Sequence, residues 1–272
     1  SVNGPRNLSL SETHLFGTSV VNEFRAGFGR SSPNFPNDTT VPMGPRIIFL
    51  NNEVSSFGVW EGLPQGRTQN TFQYSDTVSW SRGAHNIKFG ADLYRYQANS
   101  LFDALQRPLL QFANWADFAA GRPTIYQQRF GGSIRGNRIW NHFYFFQDDW
   151  KATRNLTVNL GLRTEVAHGV NEVNGLISNL NLGCSESQGA AGTGPFGCFV
   201  IGKPSNNTNT NWGPRVGFAW NPRGDAKTVV RGGYGVTYDF IFLNPITNQR
   251  FLPPFIITGS LSGTGSFAGN NT

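Results

Sequence analysis

The side chains able to do chemistry are few and lie far apart. The four histidines, His14, His85, His142 and His168, stand singly along the chain. None belongs to an HExxH run or to a Cys/His spacing of the kind that holds a metal. Asp148 and Asp149 form an adjacent acid pair, and two carboxylates on one site could share acid and base roles. Neighbours on a strand point to opposite faces, however, so these two cannot serve one site, and charges at an interface are the better reading. Cys184 and Cys198 flank a Gly/Ser-rich stretch, SESQGAAGTGPFG. In an oxidising compartment they would close a disulfide worth up to about 3 kcal/mol against the unfolded loop. A metal pair is the rival reading, weakened because a structural zinc wants four ligands and no His or further Cys is near. Arg231-Gly232-Gly233-Tyr234-Gly235 lacks the GxGxxG spacing and a following helix. Its glycines relieve crowding or sharpen curvature in a sheet. With no GxSxG elbow and no P-loop either, the expectation is a protein that is not an enzyme and takes no metal or cofactor.

Composition narrows the classes further. The chain has 272 residues, a formal charge of +6, 14% charged and 14% aromatic residues, and 33 Gly with 15 Pro. So many aromatics with so little charge argue against disorder, and the composition lacks the Ala/Glu/Lys/Leu bias of helical bundles and coiled coils. No stretch approaches the 18 apolar residues that a transmembrane helix needs. The basic excess is Arg-rich but scattered singly from Arg6 to Arg250. A nucleic-acid surface would concentrate it on one element, so no nucleic-acid partner is expected. The arginines instead belong to one polar face and its loops, where guanidinium groups pair or stack.

What must position these residues is a set of strands. In residues 69–82, Phe72, Tyr74, Val78 and Trp80 alternate with Gln73, Ser75, Thr77 and Ser79, broken only by Asp76. After a turn at Gly83, Ile87, Phe89, Ala91 and Leu93 share one face, with Lys88, Gly90 and Asp92 on the other. In residues 155–167, Leu156, Val158, Leu160, Leu162 and Val166 oppose Thr157, Asn159, Gly161, Arg163 and Glu165. A period of two sustained this long marks strands with one apolar and one polar face.

Eight strands are expected, at about 8–16, 19–31, 69–82, 86–98, 139–150, 155–168, 212–221 and 227–239, paired into four hairpins by tight turns. Between hairpins run long connections, roughly 32–68, 99–138 and 169–211. Alternation of short and long links is unusual in a compact soluble domain and normal in an outer-membrane barrel. The strands have the length that crosses a bilayer at a tilt. Aromatics gather at strand ends: Trp80, Tyr94, Tyr96, Phe143 to Phe146, Trp150, Trp212, Trp220, Tyr234 and Tyr238. That reads as an interfacial belt, against the alternative of a soluble β-sandwich with aromatic core positions. Within the second long connection, Leu109, Phe112, Ala116 and Ala119 at helical spacing before Gly121 predict a short helix with a glycine C-cap. The fold class is therefore all-β: an antiparallel meander of about eight long strands of transmembrane-barrel type, making residues 1–272 a single domain.

Four stretches, VVNEFRAGFGR (20–30), NTFQYSDTVSWSRGAHNIKFGADLYRYQ (70–97), FYFFQDDWKATRNLTVNLGLRTE (143–165) and GPRVGFAWNPRGDAKTVVRGGYGVTYD (213–239), cover about a third of the chain. They resemble the barrel domain of Oar-like TonB-dependent outer-membrane receptors, the type with a carboxypeptidase-regulatory-like N-terminal domain. The resemblance implies an antiparallel barrel sheet at the bacterial cell surface. Members of that family close about 22 strands around a plug, which carries the TonB box. Some eight strands are legible here, with no plug, no TonB box and no terminal aromatic residue.

A sheet cut from a large barrel leaves two edges of unpaired N–H and C=O groups. It can close as a narrow barrel with a filled interior, pair with further receptor strands, or pair with copies of itself into a ring or tube. The first expectation is a structural subunit whose partners are its own copies, assembling through strand edges and loops into an extracellular tube or filament. The alternative is the ordered part of a TonB-dependent transporter for a large substrate, with outer-membrane lipid as partner. A secreted binding module using its aromatic loops is the third class.

Overall fold

The computed structural model describes residues 4–36, 44–180, 199–202, 208–225, 227–239 and 244–263. In chain order the strands are β1 (Arg6–Phe16), β2 (Val20–Ser31), β3 (Asn34–Phe35), β4 (Arg46–Phe49), β5 (Gln65–Arg82), β6 (His85–Phe102), β7 (Leu109–Phe112), β8 (Ile125–Phe130), β9 (Arg135–Thr153), β10 (Leu156–Ala167), β11 (Asn171–Glu172), β12 (Ser178–Leu180), β13 (Phe199–Ile201), β14 (Asn209–Trp220), β15 (Val230–Gly235) and β16 (Ile257–Ser262). Two short helices, α1 (Trp115–Ala119) and α2 (Asn244–Thr247), complete the elements, the second running into a 3₁₀ turn at Asn248–Phe251.

Eight of these strands form one wall, in the order β1-β2-β5-β6-β9-β10-β14-β15. Every neighbouring pair is antiparallel, so the wall is a meander. The turns follow from local chemistry. Gly83 supplies the positive φ (59°) that the β5–β6 hairpin needs. Between β14 and β15 the Asn221 side chain accepts from the Gly224 amide at 2.9 Å, and Gly224 turns at φ 68°. Among the described residues β1 and β15 pair with one neighbour each and not with one another, so the eight strands do not close as a narrow barrel. They form an open wall.

Three strands outrun the expected bounds. β5, β6 and β9 have 18, 18 and 19 residues and continue past the point where sequence alternation fades. β15, by contrast, ends at Gly235, earlier than expected. The extensions carry a cap at the end away from the short turns. A second sheet lies there in the order β16-β8-β7-β4, with β4 parallel to β7 and the other pairs antiparallel. Its core is Ile47, Phe49 and Phe112, with Val54, Leu110 and Phe118 packed against it. The Phe118 ring meets Phe49 and Phe112 edge-on at 5.6 and 5.2 Å. A second cluster joins Ile139, Val170 and Ile246, with Tyr96 alongside.

The helix expected over 109–120 is shorter than its spacing implied. Leu109 and Phe112 belong to strand β7, and α1 begins only after Asn114, whose side chain caps the Asp117 amide. Burial of both apolar residues by strand pairing mimicked an i, i+3 helical face. Gly121, just past the helix, takes φ 64° as a C-terminal glycine does.

Candidate functional site

Alternation sorts the wall into two faces, and the register carries each face across all eight strands. A representative row on one face runs Val78, Phe89, Phe146, Leu162 and Pro214. One residue along, the opposite face runs Thr77, Gly90, Phe145, Arg163 and Gly213. Of the large apolar side chains of these eight strands that stand exposed, all but Leu15 belong to the first face. They include Phe89, Phe146, Leu160, Val216 and Trp212, the last 56% exposed. An apolar surface this continuous is far larger than water-soluble monomers leave uncovered.

Tryptophans mark both margins of that face. Trp80, Trp150 and Trp220 lie beside the short turns, while Trp140 and Trp212 lie toward the cap. On β9, Trp140 and Trp150 are ten residues apart, about 33 Å along a strand and about 25 Å of thickness at a barrel tilt of about 40°. That is the height of an outer-membrane apolar band. The guanidinium of Arg95 lies 5.1 Å from the Trp140 ring centre, at the cap-side margin.

Part of the expected belt lies elsewhere. Tyr94, Tyr96, Phe143 and Phe145 have the opposite parity, so they project from the polar face. Tyr94 and Tyr96 stack at 6.0 Å, Tyr94 meets Phe143 edge-on at 5.7 Å, and Gln73 Nε2 donates to the Tyr94 hydroxyl at 2.8 Å. Consecutive aromatics cannot all share one face of a strand.

The acid pair splits as its adjacency requires. Asp148 turns to the apolar face, where its Oδ2 lies 2.7 Å from His85 Nδ1, and the His85 ring stacks on Trp150 at 5.7 Å. Asp149 turns to the polar face and accepts from Asn159 Nδ2 at 2.6 Å. Asp76 interrupts the apolar face and accepts from Asn22 Nδ2 at 2.6 Å. His14 lies 3.9 Å from Glu12. His142 and His168, isolated in sequence, are brought together: the β9–β10 register sets Val166 opposite His142, and His168 Nε2 comes within 3.3 Å of His142 Nδ1. Among the described residues no three His, Cys, Asp or Glu side chains gather as a metal site. Cys184 and Cys198 fall outside the described residues.

The glycines of the Arg231–Gly235 stretch make room for rings. A Cβ on Gly232 would meet the Phe218 ring at 2.8 Å. The arginines do stack as well as pair, with Arg163 4.8 Å from the Phe143 ring centre and 2.8 Å from Glu165.

The polar face meets the cap at residues the sequence did not single out. Arg67, Ser100 and Arg135 stand in register across β5, β6 and β9. Over them lies the segment 244–251, and Arg250, 3% exposed, drives back into the wall. Its Nε donates to the Thr247 carbonyl at 2.9 Å, Nη1 to those of Ser133 (3.2 Å) and Ser100 (3.5 Å), and Nη2 to Ser100 Oγ at 2.8 Å. Arg135, equally buried, donates to the carbonyls of Gly132, Ile134 and Arg250. Burial, then the charges of Arg135 and Arg67, push the Arg250 guanidinium down to about 10. Glu172 sits behind this row and accepts from the amides of Gly136 (2.7 Å), Asn174 (2.9 Å) and Leu176 (2.7 Å). In sequence each is one more charged residue in a loop, and only the register sets them side by side.

A wall with a lipid-height apolar band, tryptophan margins and one polar face defines an outer-membrane β-barrel protein. The family described as "Outer membrane beta barrel domain" matches residues 2–272, and the chain belongs to it. The short turns then face the periplasm and the cap faces outward. Among curated proteins none matches the chain. A solved structure, that of the outer membrane transporter YddB from Escherichia coli, is similar with a TM-score of 0.54 at 15% identity. The likeness covers 96% of this chain and 29% of that one, and at this identity it concerns the fold. The chain thus spans under a third of that transporter's length.

Proposed function

We propose that the chain forms part of the wall of a large outer-membrane transport barrel of the Oar-like, TonB-dependent kind, and that it acts without catalysis. The observation carrying this reading is the open wall: a lipid-height apolar face, a polar reverse and, among the described residues, an unpaired strand edge at each end. Bilayer lipid cannot satisfy free strand edges, so further strands must complete the circle. A circle larger than eight strands encloses a polar lumen, and the polar face of this wall is the surface such a lumen needs. Residues 244–251 then fold inward over the outer mouth. A TonB-dependent plug in that lumen and a large solute as cargo follow the resemblance.

The second reading is a structural one, in which the edges pair with copies of the same chain into a tube or filament. It draws on β1, exposed along all eleven residues and, among the described residues, paired on one side alone. Intact mass and negative-stain imaging of native material separate the two. Single detergent-solubilised barrels, with a polypeptide mass well above 29.9 kDa, are expected for the transport wall. Tubes or fibres built from a polypeptide of about that mass would overturn it in favour of self-assembly.

A further inference from the structure

We infer that the cavity between the β5–β6 extension and residues 244–251 binds a small oxyanion, a solute carrying a carboxylate or phosphate group. The cavity measures about 240 Å³ and lies against the polar face, bounded by Gln65, Arg67, Ser100, Asn244, Asn248 and Arg250. None of its lining residues among those described is acidic. Two guanidinium groups reach it, and a third, that of Arg135, stands in register beside Ser100.

The charges around the cavity do not balance. Arg135 and Arg250 are held by backbone carbonyls and one hydroxyl, which supply dipoles and no counter-charge. The carboxylate behind them, Glu172, accepts from three backbone amides and offsets part of the Arg135 charge, so three cations stand against one anion. Arg250 has five N–H groups, and the four bonds above leave one hydrogen on Nη2 unused among the described residues. The Arg67 side chain has no hydrogen-bond or ion-pair partner among the described residues. An oxyanion bridging Arg67 and Arg250 would take the free donors of both and offset the repulsion among the three cations. The side-chain amides of Asn244 and Asn248 offer further donors. The volume admits phosphate or a short dicarboxylate and excludes a drug-sized ligand. Because the cavity opens on the polar face, its ligand arrives from water and not from the bilayer. The site stands whether the wall serves transport or assembly.

The test is calorimetric titration of the full chain in neutral detergent with inorganic phosphate, succinate and short-chain phosphatidylglycerol, with glucose as the uncharged control. Phosphate or succinate is expected to bind with one site per chain, while the lipid and glucose do not. Arg67→Gln, which removes a guanidinium with no hydrogen bond or ion pair among the described residues, should weaken binding about tenfold or more. Asn248→Ala should weaken it less, and the melting curve of both variants should match that of the parent chain. No heat with either soluble anion, binding of the lipid alone, or an Arg67→Gln variant that binds as tightly as the parent would each overturn the proposal.

Discussion

The two-faced wall makes adjacent residues on β9 unequal by a calculable amount. Phe146 lies four residues from Trp150, about 13 Å along the strand and so about 10 Å inside the periplasmic margin at a tilt of about 40°. That depth is close to the middle of the apolar band. Arginine on the lipid face there costs about 2–4 kcal/mol, a factor of about 30 to 1,000 in the folding equilibrium. Gln147, one residue on, faces the polar side with its amide 3.2 Å from Asp149. Arginine at 147 keeps that carboxylate as a partner, and the change should stay within about 0.5 kcal/mol. Urea unfolding of Phe146→Arg and Gln147→Arg in phospholipid vesicles, each against the parent, measures the difference. Equal costs, or a larger one for Gln147→Arg, would refute the assignment of faces.

Other outcomes follow from single residues. Glu172→Ala leaves three amides without their acceptor, that of Gly136 buried and those of Asn174 and Leu176 partly buried, and should destabilise the outer end by about 2 kcal/mol, read as faster limited proteolysis within 168–180 while the β1–β2 hairpin stays protected. Gly90→Val would press a Cβ onto the Asp76 carbonyl oxygen and to 3.0 Å from the Phe145 ring, forcing β5 and β6 to shift, and should cost about 3 kcal/mol or more by overpacking, seen as a lower urea midpoint. Asp76→Leu combined with Asn22→Val removes a hydrogen-bonded polar pair from the lipid face and should stabilise the membrane-embedded protein by about 1 kcal/mol; a lower urea midpoint would count against lipid contact at that spot.

The wall was legible in the chain because lipid on one side and water on the other impose a strict two-residue period. Leu156 through Val166 shows this best, and the structure pairs that strand in the register its faces require. Legibility ends where the cap begins. At Ala98, Ser100, Arg135 and Asn137 the polar face is itself covered, and small, polar and charged residues share that buried face, so alternation of residue type carries no signal. The cap strands have four to six residues, too few for a period to show, and β7 imitated a helix turn. The oxyanion cavity was illegible for a different reason. Arg67 and Arg250 are 183 positions apart, and nothing in either neighbourhood separates them from the other arginines. The closeness of His142 and His168, by contrast, follows once the β9–β10 hairpin is drawn in register.

The pairing of β16 with β8 sets Ile257 against Phe130, a closure across more than a hundred residues of chain. Contacts so remote in sequence form late, because the entropy of the intervening loop must be given up before they return anything. The hairpins of the wall, by contrast, close over a few residues each. The cap therefore cannot finish its sheet until the last strands have crossed to the outer side. Until then the free edge of β8 is open to any passing strand, so the outer mouth is the part of this protein most exposed to misassembly during export.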